Sequence, residues 1–550
     1  MKSKLLLWLA TSFLAIELSA QINGNDAATE ILKPFQAKLA ESQKFNATPV
    51  LPVVDTQSNK NLDYIVPTRL KELQYTAAKL NPLDLTQTSK KGAKETFYPL
   101  YAKLGIGYPL GVLGELSYHL PANKKYRFGA TYKHHSGRGN YNDNQRFSDN
   151  LFNAKGTYFL DNGLALDGKI HFSHYAPRFY GYGDTLELPK DSVQQTFAIL
   201  GADLGLFNGK INAQNINYKG NLGFYRWADK SGVSEFSFTP EMSIEKWLGK
   251  GSKRHVLGAD LLFNTVGIGG IDSTYLGDTL IKNRTVFNFH PYFNYNAGMF
   301  RAKIGTNLGL NTGDFFIYPD IELLGAFLDG KINVYAGWQG AIRQNNLYTL
   351  SQYNPYIVTQ TNVKHTAQQD FYAGVKGSVK KYNYDIRVVY TIANNMPFFT
   401  NSTYYNYRRF DVLYDTAKVF SVQAGLEFEI LEQLNFSTQL AYYGYSLNNL
   451  EKPYHRPNLE SIFNLTYTMN KLQAMATFYI NSGVAYYDIA LQQNATLNGL
   501  FDFNLSATYN FSNNIGAFIQ LNNLLNNRNQ RWLHYPQIGF NAMAGVIAKF

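Results

Sequence analysis

The sequence of 550 residues contains no cysteine, so we expect neither a disulfide framework nor a lipidated cysteine after an export leader. Only 17% of its residues are charged, against about 25% in an ordinary soluble protein. Beyond the first residues it has no apolar run of about 18 residues, which excludes a helical membrane protein. Disorder is excluded too, because 45% hydrophobic residues are enough to bury a core.

What is abundant is the aromatic side chain. The chain has 41 Tyr, 38 Phe and 5 Trp, which make up 15% of the residues. Strong aromatic content combined with weak charge is unusual for a water-exposed surface. It is typical of strands that are apolar on one face and polar on the other, as in a closed transmembrane β-barrel.

The first 20 residues have the pattern of a secretory signal peptide. Lys2 and Lys4 supply a positive start, an apolar stretch of 12 residues runs from Leu5 to Ile16, and small residues precede Gln21. A membrane anchor is disfavoured because this stretch is too short to cross a bilayer as a helix. We therefore predict export, and we expect the net charge of +11 to meet anionic lipid head groups or anionic solutes rather than nucleic acid.

Residues 98–550 alternate apolar and polar side chains with a period of two. From Leu500 to Phe511 the odd positions are apolar or aromatic, and the even positions from Asp502 onward are polar. Short Asn-Gly and Asp-Gly turns alternate with longer connections, predicted at 137–150, 177–193, 269–284, 345–368, 395–417, 447–458, 483–499 and 524–537. This predicts an all-β outer-membrane barrel of about 22 antiparallel strands with the short turns on the periplasmic side. A soluble sandwich or propeller is the alternative, with shorter strands.

The two ends of the mature chain differ from the strand pattern. Residues 21–97 are predicted to form a short, irregular segment, punctuated by proline, that lies in the periplasm or in the barrel lumen. The last strand alternates from Phe540 to Phe550 and stops on an aromatic residue. It resembles the C-terminal assembly signal that the insertion machinery of bacterial outer membranes recognises.

The last 115 or so residues carry motifs of a known family. Arg456-Pro457-Asn458-Leu459 enters one strand, Asn523-Leu524-Leu525-Asn526 ends the next-to-last strand, and Gly539-Phe540 opens the closing strand after Tyr535-Pro536. These segments resemble the end of TonB-dependent receptor barrels, although that family has an aromatic where Leu525 stands. The resemblance implies a TonB-like energy-coupling partner. Residues 21–97 are too few for the family's plug domain, and a receptor-like barrel without a full plug resembles outer-membrane families of Bacteroidetes-type bacteria.

No motif for catalysis is present, so we do not expect an enzyme or a cofactor. The chain lacks a Gly-x-Ser-x-Gly elbow, a His-Glu-x-x-His pair and a phosphate-binding loop. His134 and His135 point to opposite faces of a strand, as do His171 and His174, so neither pair can chelate a metal. His135 and His171 share the predicted inward face, so a cross-strand pair is one alternative. Histidines that only make hydrogen bonds in the lumen are the more common case.

Inward-facing charge and exposed aromatic rings are the candidate solute contacts. Alternation places eight cations in the lumen: Arg127, Lys133, Lys155, Lys169, Lys219, Arg343, Lys376 and Arg387. It opposes them with four anions: Asp167, Glu427, Glu429 and Asp502. This excess favours anionic solutes, unless the charges simply neutralise one another across strands. Tyr180, Tyr182, Tyr404 and Tyr405 are candidate extracellular contacts, with the ordinary aromatic girdle as the alternative.

The sequence thus predicts an outer-membrane barrel that mediates passage or uptake of a solute. The alternative is a sealed structural or assembly barrel, which docks a lipoprotein or periplasmic partner through residues 21–97. Its motivation is the expected absence of a full plug, because an open lumen of 22 strands would be a large hole.

Overall fold

The structure, a computed structural model, describes residues 98–550 except 122, 124, 183–189, 210–213, 250–253, 273–281, 329 and 490. The predicted leader (1–20) and the predicted N-terminal segment (21–97) lie outside the described residues. Within the described residues, none of the helices has both the length and the apolar character needed to span a bilayer.

Twenty-two strands form one closed antiparallel sheet. Each pairs with the next along the chain, and the last pairs with the first, so the sheet has no free edge. The barrel strands are β1 (Leu100–Tyr108), β2 (Gly111–His119), β3 (Tyr126–Arg138), β4 (Arg146–Phe159), β5 (Leu164–Pro177), β6 (Phe197–Asn208), β7 (Ile216–Asp229), β8 (Ser234–Leu248), β9 (His255–Gly269), β10 (Asn283–Ala297), β11 (Phe300–Asn311), β12 (Asp314–Phe327), β13 (Ile332–Arg343), β14 (Thr366–Val379), β15 (Tyr382–Asn401), β16 (Phe410–Leu431), β17 (Leu434–Leu447), β18 (Leu459–Met469), β19 (Leu472–Ser482), β22 (Leu500–Asn510), β23 (Ile515–Asn522) and β26 (Asn541–Lys549).

Smaller elements lie in the connections between these strands. Two hairpins pair β20 (Ala485–Asp488) with β21 (Gln493–Thr496) and β24 (Gln530–Trp532) with β25 (Tyr535–Pro536). A 3₁₀-helix spans Tyr180–Tyr182, and α-helices span Lys190–Val193 and Leu347–Tyr353.

The alternating sequence pattern produces a barrel wall with two different faces. On β1, Leu104 and Ile106 lie on the outer face and are 59% and 76% exposed. Lys103, the residue before Leu104, faces inward and is only 6% exposed. Outward apolar groups suit a lipid environment, and inward polar groups suit a hydrated lumen. The predicted all-β barrel of 22 antiparallel strands is confirmed.

The two ends of the barrel differ in their connections. At one end, which we call the turn end, connections such as 160–163, 298–299, 380–381 and 470–471 are short. The barrel closes at this end, where Leu100 and Phe550 exchange two backbone hydrogen bonds of 2.9 Å. The opposite end, the loop end, carries the long connections, including 178–196, 344–365, 483–499 and 523–540.

Two details of the predicted loops are wrong. Most of 395–417 is strand, because β15 and β16 run on to Asn401 and Phe410 and leave only 402–409 as a connection. Three connections at the loop end are also short, at 109–110, 230–233 and 312–313. Alternation of long and short connections is therefore a tendency in this chain, and polar, Tyr-rich sequence alone did not distinguish a loop from a strand that extends beyond its neighbours.

Candidate functional site: the mouth and inner wall of the barrel

The long connections at the loop end fold back into the barrel and pack together. Their apolar side chains join those of the inner wall near the loop end in a single buried cluster, which we call the mouth core. It consists of Phe179, Tyr180, Val193, Phe197, Ile199, Trp227, Val233, Leu347, Leu350, Tyr353, Tyr356, Ile357, Val363, Phe399, Phe410, Val412, Trp532 and Tyr535. Because Phe197, Ile199 and Trp227 face inward, the loops occupy the lumen at this end.

The helix Leu347–Tyr353 is the central element of the mouth core. A capping box starts it: the Asn346 side chain accepts a hydrogen bond from the Thr349 backbone at 2.7 Å, and the Thr349 hydroxyl accepts one from the Asn346 backbone at 3.2 Å. Leu347 and Leu350 are completely buried. A seven-residue helix is marginal by itself, so packing of these side chains holds it in place.

A buried ion pair ties this helix to the wall. Glu235 on β8 and Arg284 on β10 approach to 3.3 Å, with side chains 0% and 2% exposed. Glu235 also accepts hydrogen bonds from the backbone N–H of Leu347 and from the hydroxyl of Tyr225, both at 2.9 Å. Arg284 donates to the Val363 carbonyl at 3.4 Å. We call this set the Glu235 latch, since it fixes both ends of connection 344–365 to the barrel.

The four predicted aromatic contacts have different surroundings. Tyr180 is 7% exposed, and its hydroxyl donates to the Pro536 carbonyl at 2.9 Å, so the expectation that it is an exposed contact is wrong. Burial raises the pKa of Tyr180 to about 12, which keeps the hydroxyl neutral. Tyr182 and Tyr405 are half-buried, and Tyr404 is 66% exposed. Of the four, Tyr404 is the one best placed to meet a ligand from outside.

The Arg456 motif contributes to the mouth core. Arg456 is 3% exposed and donates to the Pro397 carbonyl at 2.6 Å, while its guanidinium lies 4.7 Å from the centre of the Tyr353 ring. The neighbouring His455 stacks on Trp532 with ring centres 5.4 Å apart. Burial lowers the pKa of His455 to about 4, so its ring is neutral. Residues that resemble a family motif in the sequence therefore act here by joining separate loops.

The eight predicted luminal cations all lie on the inner face. Their positions have the same parity as the buried side chains of their strands, and they are spread from β3 to β15 rather than gathered at one place. Lys169 approaches Asp203 to 3.6 Å, Arg343 donates to Gln368 at 2.7 Å and Arg387 donates to Gln423 at 2.9 Å. Several of them thus make contacts within the wall.

The inner wall carries more carboxylates than the sequence count included. Besides the four predicted anions, these include Glu115, Asp149, Asp203, Glu235, Glu241, Glu245, Asp260, Asp320, Glu322, Asp370 and Asp385. Asp320, for example, lies 2.7 Å from the His290 ring and 2.5 Å from the Lys303 ammonium. The ratio of eight cations to four anions was therefore incomplete, and cross-strand neutralisation accounts for much of the charge.

The inward histidines do not form a metal site. In the strand register, His135 on β3 lies opposite Asp149 of β4, and His171 on β5 lies opposite Asn153 of β4. Because those two β4 residues are four positions apart, the two rings lie at different heights on the wall. Across the part of the chain that the structure describes, no group of three or more His, Cys, Asp or Glu side chains could hold a metal ion.

Known proteins share this architecture without sharing the sequence. The chain matches no protein-family model, and no curated protein matches it by sequence. Its fold matches the siderophore receptor PiuA from Acinetobacter baumannii with a TM-score of 0.60 and 13% identity, over 84% of this chain and 82% of that chain. The chain has the barrel fold of a siderophore receptor. The ferric-catecholate import receptor Fiu from E. coli K12 gives a TM-score of 0.62 and 11% identity, over 82% of each chain.

An iron transporter also shares the fold. The FrpB iron transporter from Neisseria meningitidis (F3-3 variant) gives a TM-score of 0.63 and 10% identity, over 84% of this chain and 82% of that chain. At such low identity the likeness establishes the receptor barrel fold and leaves the solute open.

Proposed function

We propose that this protein is a gated uptake receptor of the bacterial outer membrane, which carries a solute through a 22-strand barrel. The observation that carries the proposal is the mouth core, because its loops enter the lumen and pack there as an ordered structure. The buried Glu235–Arg284 pair adds to this by holding connection 344–365 against the inner wall at the loop end. Loops arranged in this way are suited to binding a solute and admitting it in a controlled step.

Energy coupling and targeting are part of this proposal. The fold shared with siderophore receptors and the resemblance of the C-terminal motifs to TonB-dependent receptors both support a TonB-type partner. Residues 21–97 are the segment that we propose for that contact. Residues 1–20 are proposed to direct export as a cleaved signal peptide, and the terminal strand to engage the insertion machinery.

Conductance in planar bilayers tests the gated state directly. Four forms are compared: the full chain, a form without residues 21–97, a form in which Gly and Ser replace 346–363, and a form with both changes. We expect no steady open channel from the full chain and large conductance from the form with both changes.

Two other outcomes would overturn the proposal. A large, steady conductance of the full chain would identify a porin-like channel. Silence from all four forms, in protein shown by heat-modifiable gel mobility to be folded, would favour the sealed structural barrel. Co-purification of a stoichiometric partner that depends on residues 21–97 would then identify its docking role.

A further inference from the structure

Three arginines form a row on the outer face of the barrel at its loop end, which we call the arginine row. Arg138 on β3 lies opposite Arg146 on β4 in the strand register. Arg178 directly follows β5, one position beyond the last pair of β4 with β5, which places it opposite Arg146 on the other side. All three share the parity of Phe152 and Phe172, which are exposed on the outer face. The three guanidinium groups therefore belong to neighbouring strands, which lie about 4.8 Å apart.

The arginine row carries an excess of positive charge. Like charges at facing positions of neighbouring strands destabilise a sheet. Burial and, after it, the charge of Arg146 lower the pKa of Arg178, so these two groups are close. Asp143 supplies a carboxylate that pairs with Arg138, and its backbone carbonyl accepts a hydrogen bond from Arg146 at 2.8 Å. Arg178 donates to the neutral side chain of Asn144 at 3.2 Å. Among the described contacts, one carboxylate thus serves three guanidinium groups.

The outer surface next to the arginines, toward the turn end, is polar. Ser136 lies opposite Ser148, and Asn150 lies between His134 and His174 in the register. The His134 ring is within hydrogen-bond distance of Asn150, at 2.8 Å, and of Ser136, at 3.1 Å. Polar and charged groups on the outer face of a membrane barrel cost least near the membrane surface. This surface therefore suits a head-group layer rather than the hydrocarbon core.

An apolar row, which we call the aromatic row, adjoins this polar surface. Tyr132, Phe152, Phe172 and Leu200 are successive neighbours across β3 to β6 and are between 37% and 58% exposed. Outward aromatic side chains mark the edge of the hydrocarbon layer. The arginine row lies beyond this edge, on the side of the loop end.

The polar surface is taller than the head-group layer of a phospholipid. From His134 to Arg138 it extends for about 13 Å along a strand, or about 10 Å in height at the usual strand tilt of about 40°. The head groups of a phospholipid bilayer add about 5–7 Å on each side. A lipid with a larger head group matches the height of this surface better.

The basic, polar surface is local to β3, β4 and β5. At two other places at the loop end, the exposed side chains are apolar. Tyr108 and Leu110 at the connection of β1 with β2, and Phe315 and Ile317 on β12, are between 62% and 69% exposed. The arginine row is therefore a particular site on the barrel, and not part of a charged ring around it.

We propose that the arginine row binds the phosphate groups of a lipid in the leaflet around the loop end, a glycolipid whose head group consists of phosphorylated sugars. Guanidinium groups stay charged and hold phosphate through paired hydrogen bonds. The sugars of the lipid meet the polar surface around His134 and Asn150, and its acyl chains lie against the aromatic row. This site goes beyond the uptake function, because it lies outside the lumen and contacts neither the mouth core nor the solute.

Binding of lipid A, a diglucosamine lipid with two phosphates, tests this proposal. The full chain is purified in a neutral detergent, and native mass spectrometry measures the dissociation constant of the first bound lipid. Arg146→Gln with Arg178→Gln, the double-arginine variant, removes two cations and leaves the pair of Arg138 with Asp143 in place. We expect it to bind lipid A about tenfold more weakly or worse, because each cation near a head group adds to the attraction.

Arg226→Gln with Lys418→Gln is the matched control, because it removes the same charge from the outer face. Arg226 on β7 and Lys418 on β16 are exposed and share the parity of the outward rings of Phe224 and Phe420. Neither has a cation opposite it in the strand register. This control should leave lipid A binding nearly unchanged. Heat-modifiable gel mobility first shows that each variant is folded.

A second comparison uses the unaltered chain and does not depend on how the variants fold. Lipid A from which both phosphates have been removed should bind the unaltered chain far more weakly than lipid A does, and the double-arginine variant should not weaken it further. Inorganic phosphate alone should not protect the unaltered chain against thermal unfolding, because it lacks the acyl chains that contact the aromatic row.

Three outcomes would overturn the inference. Equal losses of lipid A binding in the double-arginine variant and its control would show a general effect of charge. Equal affinity of the unaltered chain for lipid A with and without phosphates would show that the arginines do not recognise phosphate. Protection by inorganic phosphate as strong as that by lipid A would identify a site for a free anion instead of a lipid. None of these results affects the conductance test of the gate.

Discussion

The hydroxyl of Tyr372 donates a hydrogen bond of 2.8 Å to Glu322, which lies two strands away on the inner wall. The ring reaches that far because Gly337, on the strand between them, leaves its inward position empty. Tyr292 reaches Glu245 at 2.7 Å in the same way over Gly258. In this part of the barrel, tyrosine, glycine and carboxylate act together as a three-strand brace.

Filling the glycine position should weaken this brace. In Gly337→Ala the new Cβ would overlap the Tyr372 ring, which must then move and lose its bond to Glu322. We expect a loss of about 1–3 kcal/mol in the free energy of unfolding. Thermal unfolding, followed by heat-modifiable gel mobility, measures it. Gly220→Ala is the control, because nothing lies within 4 Å of its added Cβ. Equal effects of the two changes would contradict the brace.

Breaking the Glu235 latch should release connection 344–365. Glu235→Gln leaves Arg284 buried without its counter-ion, which typically costs about 3–5 kcal/mol. We expect faster amide hydrogen exchange in 347–353, with barrel strands far from the mouth unchanged. The pair Glu235→Gln with Arg284→Met should exchange more slowly than Glu235→Gln alone.

An exposed ion pair at the turn end provides the comparison for the latch. Lys381 and Glu429 lie 2.8 Å apart with side chains 52% and 37% exposed. Removing that pair should leave the stability of the barrel and hydrogen exchange at 347–353 nearly unchanged, because solvent screens exposed charges. If Glu235→Gln exchanges no faster than wild type at 347–353, the latch does not hold the helix.

Acid should loosen the loops at the mouth. Burial lowers the pKa of His365 to about 3 and of His455 and His534 to about 4, all below the ordinary value of 6.5. The unfolded loops therefore bind more protons than the folded ones below pH 6.5. The contribution of each neutral histidine to the stability of the folded loops is fully present above pH 6.5. It falls by about 1.4 kcal/mol per pH unit as the pH drops toward 4.

Limited proteolysis of the loop end between pH 7 and pH 4.5 measures this effect. Cleavage should increase as the pH falls, and His455→Gln should reduce that dependence because glutamine does not titrate in this range. His174→Gln, on the outer face of β5, should leave the dependence unchanged. A cleavage rate that stays constant over the range would show that the three histidines do not control the loops.

The terminal aromatic residue should matter for assembly. Phe550 is 61% exposed, and it pairs through its backbone with Leu100 at the closure of the barrel. Phe550→Ala retains that pairing and removes the ring. Because we propose that the insertion machinery recognises this ring, we expect a several-fold drop in the amount of folded barrel recovered from cells. Phe511→Ala, at another exposed aromatic of the turn end, is the control. Equal yields of the two variants would reject the assembly signal.

Much of the barrel was accessible from the sequence for a simple physical reason. Side chains on a strand alternate between two faces, so the apolar positions from Phe501 to Phe511 had to face lipid and those such as Asp502 had to face inward. The same rule placed Lys133 and Arg387 correctly on the inner wall. Turn chemistry, as at Asp161-Asn162-Gly163, located the hairpins and hence the number of strands.

The mouth was decided by tertiary structure. Nothing near Glu235 in the sequence indicates that it pairs with Arg284 or caps Leu347, because these contacts join residues 49 and 112 positions apart. Tyr180 and Tyr404 looked alike as loop tyrosines, yet one is buried and the other exposed. Local pattern determines which way each side chain of a strand points. Which loops enter the lumen depends on how much apolar surface they can bury together, and only the folded barrel brings those surfaces into contact.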